Sequence, residues 1–189
     1  MVLKDILIQT ATLLKLDNVL SLKELGGEGE DEQAKKDLEL LKTCVNLIIN
    51  EIASDYVPLS TVEEVLVKNS KIPYVNLSKT ALNIKSVKDS YGQKRYFKIY
   101  PSYIYTDCEG VCRVEYTYLP AYVENLDEQT EYQNSKITAR IISYGAAREY
   151  CLIMSMYEDA QSWDARFKES LASACRQNNY LTLPNRLWR

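Results

Sequence analysis

The sequence predicts an α+β protein, mainly α: a helical bundle with an embedded small β-barrel or curled antiparallel sheet, plus an extended C-terminal arm. Three observations lead there. Apolar residues recur at helical spacing over both ends of the chain. Between those ends, residues from Pro58 onward are rich in Val, Ile and Tyr and shift to a two-residue period. The last stretch, RQNNYLTLPNRLWR, follows neither period. The chain therefore divides into N-terminal bundle helices at 1–56, a β insert at 57–120, C-terminal bundle helices at 121–176 and an arm at 177–189.

Residues 3–16 form the first predicted helix, with Leu3, Ile6, Leu7, Leu13 and Leu14 on one face and Asp17-Asn18 ending it. Val19 to Leu25 adds a turn or two, and Gly26-Gly27-Glu28-Gly29-Glu30 follows as an exposed loop without the spacing of a calcium site. The next helix runs from Asp31 to Asp55 on a stripe of Leu38, Leu41, Val45, Ile48 and Ile52. Cys44, Leu47 and Ile49 widen that stripe until the helix is apolar nearly all round, as in the middle of a bundle. Asn46 and Asn50 lie one turn apart on the remaining face, placed for hydrogen bonds between helices.

Strands are predicted at Thr61 to Val67, Leu82 to Val87, Tyr96 to Tyr105 and Val111 to Leu119. The last alternates most cleanly: Cys112, Val114, Tyr116 and Tyr118 against Arg113, Glu115 and Thr117. Ser90-Tyr91-Gly92-Gln93 and Asp107-Cys108-Glu109-Gly110 supply turns. After Pro120 an acidic linker carries Glu124, Asp127, Glu128 and Glu131.

Two amphipathic helices follow between Ser135 and Arg176. The first places Ile137, Ile141, Tyr144, Cys151 and Met154 inward and leaves Arg140, Arg148 and Glu149 outside. The second has Ala160, Trp163, Phe167, Leu171 and Ala174 inward. Ser135 is a capping hydroxyl for one, and Glu158-Asp159 are first-turn acids for the other. No Gly or Pro forces a break near Met156 and Tyr157, so one long bent helix fits the pattern as well. The expected bundle core is Leu41, Val45, Ile48, Ile52, Ile141, Tyr144, Trp163, Phe167 and Leu171.

Within this pair, Tyr144-Gly145-Ala146-Ala147, Glu149-Tyr150, Glu158-Asp159-Ala160, Trp163-Asp164-x-Arg166-Phe167 and Leu171 resemble the C-terminal helices of head–tail connector proteins of tailed bacteriophages, also called adaptor or neck proteins. The wording covers residues 144–171; the order helix, helix, β insert, helix, helix, tail extends the likeness in outline. The resemblance implies a structural protein of the virion, assembled in the host cytoplasm. It further implies a homo-oligomeric ring of about twelve copies between the portal protein and a tail or neck protein, with DNA passing through as cargo. Another neck or tail-completion protein shares these features.

The arm fits such a role. It has Arg186 and Arg189, preceded by Arg176, and no acid; Tyr180, Leu181, Leu183, Pro184, Leu187 and Trp188 supply apolar anchors. Pro184 blocks a helix, and Trp and Arg are the residues that dominate interfaces, so docking on the portal or a neighbouring subunit is favoured over packing on its own domain.

Composition excludes much else. The 189 residues contain no His, which removes Ser-His-Asp and Cys-His catalysis and His metal sites together. No carboxylate pair stands in a catalytic frame, and no glycine loop suits a phosphate. The expectation is no enzyme, no cofactor and no metal. Cys108-x-x-x-Cys112 lacks a second ligand pair, so a turn or strand role is preferred. The five Cys read as free thiols, three of them on helix faces, which fits a reducing cytoplasm. Lys4, Asp5, Gln9 and Thr10 interrupt any signal-peptide pattern, and no stretch approaches a membrane span.

A net charge of −3 argues against a protein that grips nucleic acid, and carboxylates would suit a channel along which DNA slides. One rival remains. The tyrosines of the strand region (Tyr96, Tyr100, Tyr103, Tyr105, Tyr116, Tyr118), with Lys94, Arg95, Lys98 and Arg113, could form a base-stacking platform.

Overall fold

A computed structural model describes residues 1–21, 31–132 and 136–176. The protein is α+β and mainly α: five helices make up 48% and strands 25%, the strands lying in two small antiparallel sheets. The sheets do not close into a barrel.

The bundle is built from α1 (Leu3–Leu14), the short α2 (Asp17–Leu20), α3 (Glu32–Glu51), α4 (Ala139–Ile153) and α5 (Tyr157–Cys175). α1 ends earlier than predicted because Lys15 turns left-handed, φ +56°, and the N–H groups of Lys15 and Leu16 bond back to the carbonyls of Thr12 and Ala11. Asp31 caps α3, accepting from the N–H of Gln33 and Ala34. α3 does not continue to Asp55 as an α-helix. It widens into a π turn at Ile52–Tyr56, closed by Val57 N–H to Ile52 O at 2.7 Å.

The predicted loop at 26–30, the end of the short helix after Ser21, and Ser135 lie outside the described residues. Thr138, not Ser135, occupies the start of α4. α4 and α5 are separate helices. Ser155 takes φ +60°, Met156 N–H bonds Cys151 O and Ser155 N–H bonds Leu152 O, a Schellman ending with serine in the place usual for glycine.

Leu41, Val45, Ile48, Ile52, Phe167 and Leu171 are fully buried in one apolar core, Ile141 and Tyr144 nearly so. Trp163 is only half-buried: its ring stacks on Tyr144, centroids 5.8 Å apart, and the Arg166 guanidinium lies 4.8 Å from its centroid. Leu47 and Met154, expected inward, are exposed.

The insert has its own core, of Val65, Val67, Ile72, Ile84, Val87, Ile104, Val114 and Tyr116 among others. One sheet orders β1 (Leu59–Val67), β7 (Gly110–Tyr118), β3 (Ala81–Lys88) and β4 (Lys94–Arg95); the other orders β2 (Lys71–Pro73), β6 (Tyr103–Thr106) and β5 (Phe97–Ile99). β7 is central, pairing Leu59↔Tyr118 through Val67↔Gly110 on one side and β3 on the other, where two register shifts bend the ladder. The single strand predicted over Tyr96–Tyr105 is two. Pro101 and Ser102 turn the chain, and Tyr100 N–H closes the hairpin on Tyr103 O at 2.9 Å. β2 and β4 were not anticipated. β2 follows a two-residue turn in which Asn69 and Ser70 both have positive φ.

Cys108 and Cys112 are joined in a disulfide, which corrects the reading of five free thiols; Cys44, Cys151 and Cys175 are free.

Candidate interaction surfaces

The surfaces and junctions that could bind a partner are described first. No group of three or more Cys, Asp or Glu among the described residues is placed to hold a metal ion. Burial pushes the Cys44 thiol up to about 12 and the Cys151 thiol up to about 11, far from the thiolate a nucleophile needs.

The acidic linker is not a free tether. Val123, Thr130 and Tyr132 are buried, and the stretch runs past the start of α1, where Leu3 and Lys4 donate their N–H groups to Glu128 O and Leu126 O, each at 3.0 Å. Helix α1 has no side-chain cap, so the linker backbone does that work. Asn46 reaches the same strip. Its side-chain amide donates to Val123 O at 3.0 Å and its oxygen accepts from Val123 N–H at 2.8 Å, so it binds an extended segment rather than another helix.

Glu131 joins the linker to the insert. Its carboxylate accepts from Lys79 Nζ, Tyr118 OH at 2.6 Å and Ala121 N–H at 3.2 Å. Burial alone would raise Glu131, but these hydrogen bonds outweigh it and hold the carboxyl below the ordinary range. Glu63 plays a similar part nearby, accepting from Tyr116 OH at 2.8 Å and from the hydroxyl of Ser78. Tyr116 and Tyr118 are thus buried on carboxylates and cannot take part in a stacking platform.

What remains of that platform is the outer face of the three-stranded sheet. Tyr100 stacks on Tyr103 at 4.9 Å, Lys98 and Lys71 lie over those two rings, and Tyr105 stands opposite both lysines in register. A cleft of about 770 Å³ opens beside it, lined by Tyr74, Val75, Ile99 and Tyr100. Lys94 and Arg95 lie on the other sheet; Arg95 is paired with Asp89 at 2.6 Å, and Arg113 with Glu64 at 2.9 Å in a solvent-exposed pair.

In the helical pair, Arg148 is not on an outer face. It is 13% exposed and its guanidinium bridges three helices: Glu51 of α3, Glu149 of α4 at 2.6 Å and Asp164 of α5 at 3.2 Å. Its plane also covers Phe167 at 5.2 Å. Burial works to raise Asp164, and the hydrogen bonds from Lys168 and Arg148 overcome it, so this carboxyl sits below its usual value. The sequence marks such a hub weakly, as an Arg amid apolar residues flanked by an acid.

Beyond Arg148 lies the α4–α5 corner. Leu152, Ile153, Met154, Met156 and Tyr157 are all exposed, from 37% for Met156 to 63% for Tyr157. Large apolar side chains exposed together at one helix corner usually mark a surface that meets a partner. Its signal in the sequence was present: the run CLIMSMY is too uniformly apolar for two helices that each need only one buried side.

Of the expected docking residues, Arg176 is described, exposed just past the end of α5. Tyr180, Leu181, Leu183, Pro184, Arg186, Leu187, Trp188 and Arg189 lie outside the described residues. No helix among the described residues is long and apolar enough to cross a membrane. No family model matches this chain, and no curated protein matches it either.

Proposed function

We propose that this chain is a structural head–tail adaptor of a tailed phage or prophage. In this reading it is one of a ring of copies seated in the virion neck between the portal protein and the tail, and it carries out no chemistry. The observation that carries the reading is the α4–α5 pair. The stretch whose wording resembles the connector family ends α4 in an exposed apolar corner and locks α3, α4 and α5 together through Arg148 just behind it. That is a braced element with an exposed apolar tip, as suits an assembly protein. The insert, held to the bundle through Glu131 and Asn46, would extend the ring wall.

The test mixes the purified full-length chain with the portal protein of the same phage or prophage and measures mass by light scattering. A stoichiometric complex is expected, lost when residues 177–189 are removed. Indifference to the portal, combined with salt-dependent binding to single-stranded oligonucleotides, would reject the adaptor. It would move the function to Lys71, Lys98 and the stacked tyrosines.

A further inference from the structure

The α4–α5 corner has a matching counterpart elsewhere in the chain. Between α4 and α5 lies a cleft of about 350 Å³, lined by Leu152, Tyr157 and Ala160 and rimmed by Gln161 and by Arg148 with its partners Glu149 and Asp164. Residues 149–165 contain four acids and no Lys or Arg. Glu149 and Asp164 are engaged by Arg148, whereas Glu158 and Asp159 pair with no base among the described residues. Their place in the first turn of α5 gives them a local role toward the helix dipole. That role does not account for five apolar side chains on the same tip. The surface is therefore apolar at its centre and anionic at its edge.

The segment 177–189 has the complementary character: Leu183, Pro184, Leu187 and Trp188 with Arg186 and Arg189, and no acid. It leaves α5 at the end opposite the corner. Helix α5, 19 residues long, spans about 28 Å, and the segment when extended reaches about 43 Å. That reach covers the corner of its own subunit and the corner of a copy alongside. The ring that the adaptor reading calls for needs the second, with Trp188 in the neighbour's cleft.

We infer that the C-terminal arm of one copy docks on the α4–α5 corner of a neighbouring copy. Leu187 and Trp188 sit on Leu152, Met156 and Tyr157, and Arg186 and Arg189 face Glu158 and Asp159. The contact is heterologous, the kind that generates a ring when its rotation closes. This inference rests on the adaptor reading and names the surface by which its copies meet.

The experiment uses full-length chain in which Trp188 is replaced by the photo-crosslinking residue p-benzoylphenylalanine. Ordinary and nitrogen-15-labelled copies are mixed, then irradiated both alone at high concentration and with the portal. Mass spectrometry should find mixed-isotope crosslinks from position 188 to the 152–157 peptide in at least the portal-bound sample. The double substitution Glu158→Lys with Asp159→Lys should cut their yield about fivefold, the scale of two exposed ion pairs, while circular dichroism shows the helices intact. Corner crosslinks within single-isotope chains only would mean that the arm folds back on its own subunit, and would overturn the inference. Crosslinks confined to the portal would overturn it too, while leaving the adaptor standing. Mixed crosslinks to the corner without any portal association would uphold the docking and reject the adaptor.

Discussion

Asn46 and Glu131 each make contacts that an apolar replacement cannot. Asn46 is buried in α3 and satisfies both backbone groups of Val123, 77 residues away. Asn46→Ala leaves a buried N–H and carbonyl without partners, so it should cost about 2–3 kcal/mol, read as a lowered urea midpoint with unchanged slope. Glu131→Gln keeps the shape and removes the charge. A carboxyl held low in the folded protein contributes stability that is complete above its unfolded value, near 4.5, and is lost as pH falls through the folded value. The variant should therefore be less stable than the parent by about 1–2 kcal/mol at pH 7, with the gap closing steadily below about pH 5. A gap independent of pH between 7 and 3 would contradict this account of Glu131. Neither partnership was legible in the sequence. An Asn in an apolar helix signals an internal hydrogen bond, but a backbone target carries no mark of its own, and Glu131 looked like one acid among four in a solvated linker.

At the scale of elements, α3 and α4 pack tightly against each other at Gly145. A Cβ built there would lie 2.7 Å from Ile48 Cγ2 and 2.9 Å from its Cδ1, so the glycine is required for space rather than for backbone freedom. Gly145→Ala should destabilise by about 1–3 kcal/mol even though alanine favours the helix by about 1 kcal/mol. Ile48→Ala alone should cost about 2–5 kcal/mol. Because the two substitutions relieve one another, the double variant should be at least about 1 kcal/mol better than their sum; additive thermal melts would show that the helices do not meet as described. Periodicity located these helices well, since a buried stripe repeats whatever its partner. It failed where local turn chemistry decides. Lys15 and Ser155 end helices without glycine, Pro101-Ser102 splits a predicted strand in two, and Asn69-Ser70 makes a hairpin whose second strand is only three residues long. The Cys108–Cys112 disulfide was likewise hidden, because a four-residue spacing across a turn says nothing about how the two side chains face.

At the scale of the whole molecule, one apolar core organises the helices and a second the sheets, with Leu59 packed against both. The binding face of such a body could be read from the sequence only in part. The arm stands out by its composition, whereas the exposed corner does not: Met154 reads as core, because exposed and buried apolar side chains on a helix look alike until the neighbouring helix is placed. Leu152, Ile153, Met154, Met156 and Tyr157 are exposed where α5 turns away from α4 at Ser155. The proposed adaptor predicts that these tips and the arms join copies around an axis shared with the portal. Electron microscopy of the full-length chain assembled on its portal tests this most directly. The account predicts a closed ring stacked coaxially on the portal, with the helical pairs at the contacts between subunits. Portal particles with no added ring, or with single copies bound at scattered positions, would contradict it.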